Sequence, residues 1–275
     1  MSTATSASND APSQAKDRPV MAAHIEGSGP PVIMLHGGFG CWRHWVRNVG
    51  PLSKHFTVHA FDLPCYGESA LVPKEMPGED YLELVYQEIT RLFPGTEPLR
   101  FVGFSFGGAI SAYLAGRLKR RVSHLTLISP GGVPVSRSGI RNMMSYKAAR
   151  GDEALMQKTI RHNLLQHMLF YYDSVDAQAM EIQRYCVDHT SFDSRKVSRG
   201  GGLSENLEKV TCKLMVLWGE KDDFDFRPAD EMIAQIRAVV PDLELHRIPR
   251  AGHWSAYENA PEVNRRLIDF MTGEG

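Results

Sequence analysis

Gly103-Phe104-Ser105-Phe106-Gly107 decides how this chain is read. It follows the strand-length run Leu99-Arg-Phe-Val-Gly-Phe104 and opens a helical pattern, Gly107–Leu118. A strand that turns directly into a helix through G-x-S-x-G is so tight that the flanking positions must be small. The serine is then forced into a strained conformation, with its Oγ directed away from the sheet. Backbone N–H groups at the helix start favour negative charge developing beside it. That context makes Ser105 a candidate nucleophile.

Further apolar runs of strand length lie on either side. Val32–Leu35 leads into His36-Gly37-Gly38, Phe56–Phe61 into Asp62-Leu63-Pro64, and Leu125–Ile128 into Ser129-Pro130-Gly131. Lys213–Trp218 leads into Gly219, and Leu243–Ile248 into Pro249. Near-continuous apolar runs suit strands buried on both faces. Between them lie helical patterns at Glu79–Phe93, Pro228–Val240 and Pro261–Met271, the last two with Pro in the first turn. Alternating strand and helix predicts an α/β fold with a doubly wound, mostly parallel sheet.

One stretch breaks the alternation. Residues 133–206 show no strand and read as helices over Ser138–Arg150, Glu153–Phe170 and Val175–His189. The expected organisation is a disordered tail over 1–18, a core of 19–132 and 207–275, and a helical cap, 133–206, inserted in that core. The cap's methionines and aromatics serve its own packing and suit the roof of an apolar pocket. Gly200-Gly201-Gly202 is the expected hinge back to the sheet.

The chain of 275 residues has 31 Lys and Arg against 32 Asp and Glu, a net charge of -1. No global field holds nucleic acid or an anionic membrane, and no apolar run approaches the ~18 residues of a membrane helix. The first residues have neither a basic start nor an apolar stretch, so a cytoplasmic protein is expected. Cys41, Cys65, Cys186 and Cys212 form no CxxC pair and read as reduced, packed thiols. There is no HExxH, so no metal is expected.

A serine nucleophile needs a base, and His253 follows the last strand in Arg250-Ala-Gly-His253-Trp254. The base needs a carboxylate to fix its tautomer. Asp222 follows the strand Lys213–Trp218, with Glu220, Asp223 and Asp225 as competitors. The strand Leu125–Ile128 ends on Ser129 and offers no acid. The order Ser105, Asp222, His253 matches that of an α/β-hydrolase and neither protease order. His36-Gly37-Gly38-Phe39-Gly40 is a glycine-rich turn whose backbone can approach a reacting carbonyl. The N–H of Gly38 or Phe39, with that of Phe106, would form an oxyanion hole. No Lys follows at the spacing of a phosphate-binding loop.

Over about residues 20–273 the chain resembles the α/β-hydrolase superfamily. The resemblance rests on Leu35-His36-Gly-Gly-Phe39, Phe61-Asp62-Leu-Pro-Cys-Tyr-Gly67-Glu-Ser69, Gly103-Phe-Ser105-Phe-Gly-Gly108, Trp218-Gly-Glu-Lys-Asp222 and Ala251-Gly-His253-Trp254. It implies an eight-stranded, mostly parallel sheet, a helical cap and no cofactor. Serine at the elbow argues against the dehalogenases and epoxide hydrolases of this fold, which carry Asp there. Trp254 after the histidine, the His-Gly-Gly entry and the cap resemble the meta-cleavage-product hydrolases. These split a carbon–carbon bond in a vinylogous diketone acid during aromatic compound degradation. That resemblance implies substrate-binding roles for Trp254 and for a cap arginine, with Arg184 the nearest match; read alone, Arg184 is a solvated helix charge. Phe106 and Cys65 depart from the pattern, standing where Met and Gly are usual.

The sequence therefore predicts a cofactor-free serine hydrolase of a small, largely apolar carbonyl compound. A meta-cleavage-type acid is one candidate. A carboxylesterase, lactonase or thioesterase is the alternative, and a non-catalytic ligand receptor on the same fold is the alternative of another class. The partner is a small molecule, and assembly as a homo-oligomer stays open.

Overall fold

A computed structural model describes residues 18–134, 142–198, 202–222 and 228–273. Its centre is one sheet of seven strands among those residues: β1 (Ala23–Glu26), β2 (Pro31–Leu35), β3 (Thr57–Phe61), β4 (Leu99–Phe104), β5 (Val122–Ile128), β6 (Lys213–Gly219) and β7 (Glu244–Ile248). Their spatial order is β1-β3-β2-β4-β5-β6-β7. All pairs are parallel except β1 with β3. The six strands expected from apolar runs are present. β1 adds an antiparallel edge, and the total is one fewer than the eight the resemblance implies. β1 gave no apolar signal because its only large apolar side chain, Ile25, faces solvent. An antiparallel edge strand needs no two-faced apolar run.

Alternation along the strands builds two cores. Val32, Met34, Val102, Phe104, Met215 and Leu217 pack on one face. Ile33, Leu35, Phe101, Leu125, Leu127, Val216 and Trp218 pack on the other. Because successive strand residues point to opposite faces, the five consecutive apolar residues Leu214–Trp218 of β6 feed both cores at once. Helices α1 (Gly78–Leu92), α2 (Phe106–Leu118) and α3 (Glu153–His167) follow in chain order. Then come α4 (Ala177–Asp188), α5 (Ala229–Val239) and α6 (Ala260–Thr272). α2 is apolar nearly all round and buried against the sheet.

β3 lies on one side of β2 and β4 on the other, so the chain reverses its direction of travel across the sheet there. Open parallel sheets bind ligands at such a switch point, outside the carboxyl ends of the strands. Here those ends are Leu35, leading into His36, and Phe104, leading into Ser105.

Between β5 and β6 the chain carries α3 and α4, each started by an aspartate. Asp152 accepts from Leu155 N at 2.9 Å, and Asp176 from Ala179 N at 2.8 Å. The helix expected over Ser138–Arg150 is not formed in its described part. Residues 135–141 lie outside the described residues, and 146–151 make overlapping turns that end at Gly151, φ 88°. Asp152 then caps α3 instead of extending an earlier helix. Residues 200 and 201 of the expected hinge also lie outside the described residues; Gly202 precedes the short helix Leu203–Leu207, which leads back towards β6.

Candidate active site

Ser105 has φ 50° and ψ -111° and immediately precedes α2. Its N–H donates to Ile128 O at 3.0 Å, and its carbonyl accepts from Gly108 N and Gly131 N at 2.9 and 2.8 Å. A Cβ on Gly103 would stand 2.4 Å from Gly107 O, and one on Gly107 would stand 2.1 Å from Leu35 O. The turn therefore excludes any side chain at both flanking glycines. The helix N-terminus, with its unsatisfied N–H groups, begins at the next residue, Phe106. Phe106 itself is buried beside Tyr66, Tyr81 and Phe192.

His253 and Asp222 come from the loops after β7 and β6. The Nδ1 of His253 lies 3.0 Å from Oδ2 of Asp222, and the two side chains are 1% and 0% exposed. Asp222 is fixed from both sides: its N–H donates to Gly219 O at 3.1 Å, and its carbonyl accepts from Trp218 Nε1 at 2.9 Å. The His253 ring stands 4.8 Å from the ring of Phe104, the residue before the serine. Of the competing acids, Glu220 is exposed, whereas Asp223 and Asp225 lie outside the described residues.

The glycine-rich turn after β2 lies against the elbow. A Cβ on Gly37 would meet the Phe104 ring at 2.9 Å and Ser105 Cβ at 3.5 Å. A Cβ on Gly38 would stand 2.6 Å from Ser194 Oγ, and Phe39 has φ 49° with its side chain exposed. His36 holds this turn to the neighbouring loop. Its Nδ1–H donates to Gly37 O at 2.7 Å, and its Nε2 accepts from Leu63 N at 3.0 Å. Burial pushes its imidazole down to about 4, so the neutral tautomer required by those two bonds is the one held at pH 7. Cys65 is likewise structural, its Sγ accepting from Val72 N at 3.0 Å.

The two expected substrate-binding residues, Arg184 and Trp254, are both engaged by other groups of the protein. Arg184 lies on a partly exposed face of α4, paired with Glu153 at 2.6 Å and Asp188 at 2.7 Å. Two carboxylates already satisfy the charge that was expected to meet a substrate acid. Its neighbour Gln183 is the buried one, reaching Phe39 O with Nε2 at 3.5 Å, because adjacent helical residues point about 100° apart. Trp254 is wholly buried; its Nε1 donates to His44 O at 3.0 Å and its ring stacks on Tyr257 at 4.3 Å.

Three residues near the site were not anticipated from the sequence. His167, at the end of α3, brings its ring to 5.3 Å from that of His253. His44 is buried between Phe104 and Trp254, and burial holds its imidazole well below the ordinary range. Glu258 accepts from three backbone N–H groups around the histidine loop. Each depends on contacts between distant segments, and none sits in a local motif. No group of three or more His, Cys, Asp or Glu among the described residues could hold a metal ion, and no described helix is long and apolar enough to cross a membrane.

Comparison with known proteins adds three findings. A family model described as the alpha/beta hydrolase family matches residues 32–266. A 2-hydroxy-6-oxo-6-phenylhexa-2,4-dienoate hydrolase of Burkholderia cepacia is 30% identical over 259 residues, covering 89% of this chain and 88% of that one. Among solved structures, a meta-cleavage product hydrolase from Pseudomonas fluorescens has a TM-score of 0.72 at 19% identity, over 93% of this chain and 95% of that one. A thermophilic esterase from Thermogutta terrifontis also scores 0.72, at 20% identity, over 92% and 93%. At these identities the two structures speak for the fold.

Proposed function

The chain belongs to the alpha/beta hydrolase family and is an enzyme of that fold, and from that premise we propose that Ser105, His253 and Asp222 are its catalytic triad. The observation that carries this is the shielded Asp222–His253 pair, set at the same sheet edge as a serine with φ 50°. Ser105 Oγ attacks a carbonyl carbon while His253 takes its proton. Asp222 holds the imidazole in the tautomer with Nδ1 protonated, leaving Nε2 as the base, and stabilises the imidazolium. The N–H groups of Phe106 and of Gly38 or Phe39 receive the oxyanion, each donor worth roughly 2.7–4 kcal/mol. His253 then protonates the leaving group, and water releases the acyl group by the same route. For an ester the leaving atom is oxygen. For a vinylogous diketone acid it is carbon, stabilised by conjugation and protonated as the carbon–carbon bond breaks. No step calls on a metal or redox group.

In this reading residues 133–206 form a cap over the site, on a core of 19–132 and 207–275, and the substrate is small and largely apolar. The curated relative's name favours a diketone acid. The engagement of Arg184 by Glu153 and Asp188 favours a neutral ester, lactone or thioester. One preparation tested on short acyl esters, lactones, thioesters and vinylogous diketone acids decides between them. Burst release of nitrophenol from p-nitrophenyl acetate tests the acyl-enzyme. No turnover on any class, with an intact fold, overturns the proposal.

A further inference from the structure

The loop that carries His253 is held by hydrogen bonds to its backbone at Pro249, Ala251, Gly252 and Trp254. Lys221 N–H donates to Ala251 O at 2.9 Å, and Asn259 Nδ2 to Pro249 O at 2.7 Å. Trp254 N–H donates to Met168 O at 2.7 Å, across to the segment that leaves α3. Gly252, the residue before the histidine, has a different kind of partner. Its N–H donates to Oε2 of Glu258 at 2.6 Å. The same carboxylate accepts from Phe170 N at 3.0 Å and from Tyr171 N at 2.7 Å.

One carboxylate thus gathers three N–H donors from two segments far apart in sequence. The packing has no slack. A Cβ on Gly252 would stand 2.9 Å from Phe170 N and 3.2 Å from Glu258 Oε2. Charge-assisted bonds of this kind are about twice as strong as neutral ones. An amide in place of the carboxylate would offer one oxygen to three donors and turn an NH₂ toward them.

From this geometry we infer that Glu258 is a positioning residue: it sets the His253 loop against the segment 168–171 of the inserted helices, so that the base stands correctly over the nucleophile. This rests on the triad reading, in which His253 acts on Ser105. Misplacement of a reacting group by about 1 Å can cost 10²-fold in rate. A residue that only supported the fold would instead reduce the number of working sites, leaving each surviving site as fast as before.

Titration with a fluorophosphonate separates the two roles. The amplitude counts competent sites, and the rate constant per site reads how well His253 activates Ser105. Glu258→Gln is expected to keep most of the amplitude and to lower the rate constant on the order of 10²-fold. Glu258→Asp, which keeps the charge, should recover much of that loss. The kcat for p-nitrophenyl acetate should fall with KM little changed. A Glu258→Gln protein with full rate constant per site, whatever its amplitude, overturns the inference. Should that variant not fold, Glu258→Asp, whose shorter reach is expected to leave the rate constant per site measurably below wild type, does the same if it reacts at the full wild-type rate. A wild-type protein that the probe labels elsewhere than at Ser105 overturns the triad reading, and the inference with it.

Discussion

Nδ1 of His253 stands 3.0 Å from Oδ2 of Asp222, and both side chains are closed off from solvent. A neutral imidazole next to a carboxylate places its proton on the nitrogen that faces the acid. Asp222→Asn is therefore expected to preserve the packing and favour the other tautomer. By the serine-protease precedent the loss in kcat is on the order of 10⁴-fold. Glu220→Gln, at an exposed position, should cost little. A Glu220→Gln enzyme as crippled as Asp222→Asn would reassign the acid.

Ser105→Ala should abolish turnover and labelling by a fluorophosphonate while leaving the circular dichroism spectrum unchanged. The alanine inherits φ 50°, so the local strain is kept and only the hydroxyl is lost. More than a few per cent of wild-type kcat, with contamination excluded, would remove Ser105 from the mechanism.

Gly107→Ala places a methyl 2.1 Å from Leu35 O and 2.6 Å from His36 O, both of them backbone atoms that cannot swing aside. The elbow must then back away from the turn that carries Gly38. Overpacking of this sort costs about 1–3 kcal/mol or more. Urea titration should show a lower midpoint, accompanied by a fall in kcat. An unchanged midpoint would mean that the elbow is looser than its geometry indicates.

Stability should depend on the charge state of His36. Its folded imidazole titrates at about 4, against an ordinary 6.5, because burial penalises the cation. The unfolded chain then binds the proton more readily between those values. The stabilisation is complete above about pH 6.5 and is lost as pH falls towards 4, by about 3 kcal/mol from this group. Burial of His44 and His124 acts in the same direction, while the raised Asp62 carboxyl opposes it at the acid end. Urea midpoints measured at pH 7 and 4.5 should differ, and His36→Gln should remove part of the difference. Equal midpoints for the wild type would contradict the assignment.

Arg184→Ala is expected to change kcat/KM for acids and for neutral esters by the same small factor. Its guanidinium is already engaged by Glu153 and Asp188, so it sets helix packing. A selective loss on acids would show that the arginine swings inward when substrate binds.

How far the sequence could be read follows from where the information sits. Strands buried on both faces announce themselves, as β2, β3, β4, β5 and β6 do; the edge strand β7, mostly only part-buried, was legible from Leu243, Leu245 and Ile248 before Pro249. β1 was not, because its single exposed isoleucine gives no pattern. The elbow was legible because both glycines and Ser105 fall within five consecutive residues, even though the atoms that exclude a side chain at Gly107 belong to Leu35 and His36 of the neighbouring strand and turn. Glu258 was not, because its three N–H partners come from Gly252 and from Phe170-Tyr171. Arg184 shows the same limit on a smaller scale. A one-residue rotation along α4 decides that Gln183 faces the Phe39 turn, and side-chain type alone does not report that rotation.

The insertion between β5 and β6 also has a consequence for synthesis. These strands pair directly, Leu125 beside Leu214, although all of 129–212 lies between them in the chain. Closing so long a stretch costs only logarithmically more than closing a short one, but non-local pairing is slow. On the ribosome, the turn bearing Ser105 emerges well before Asp222 and His253 exist. A chain that stalls before its last strand carries Ser105 but neither Asp222 nor His253 in place, and so lacks the base proposed for it. Under the proposed triad, the product of interrupted translation is expected to be inert until the carboxyl-terminal segment has docked.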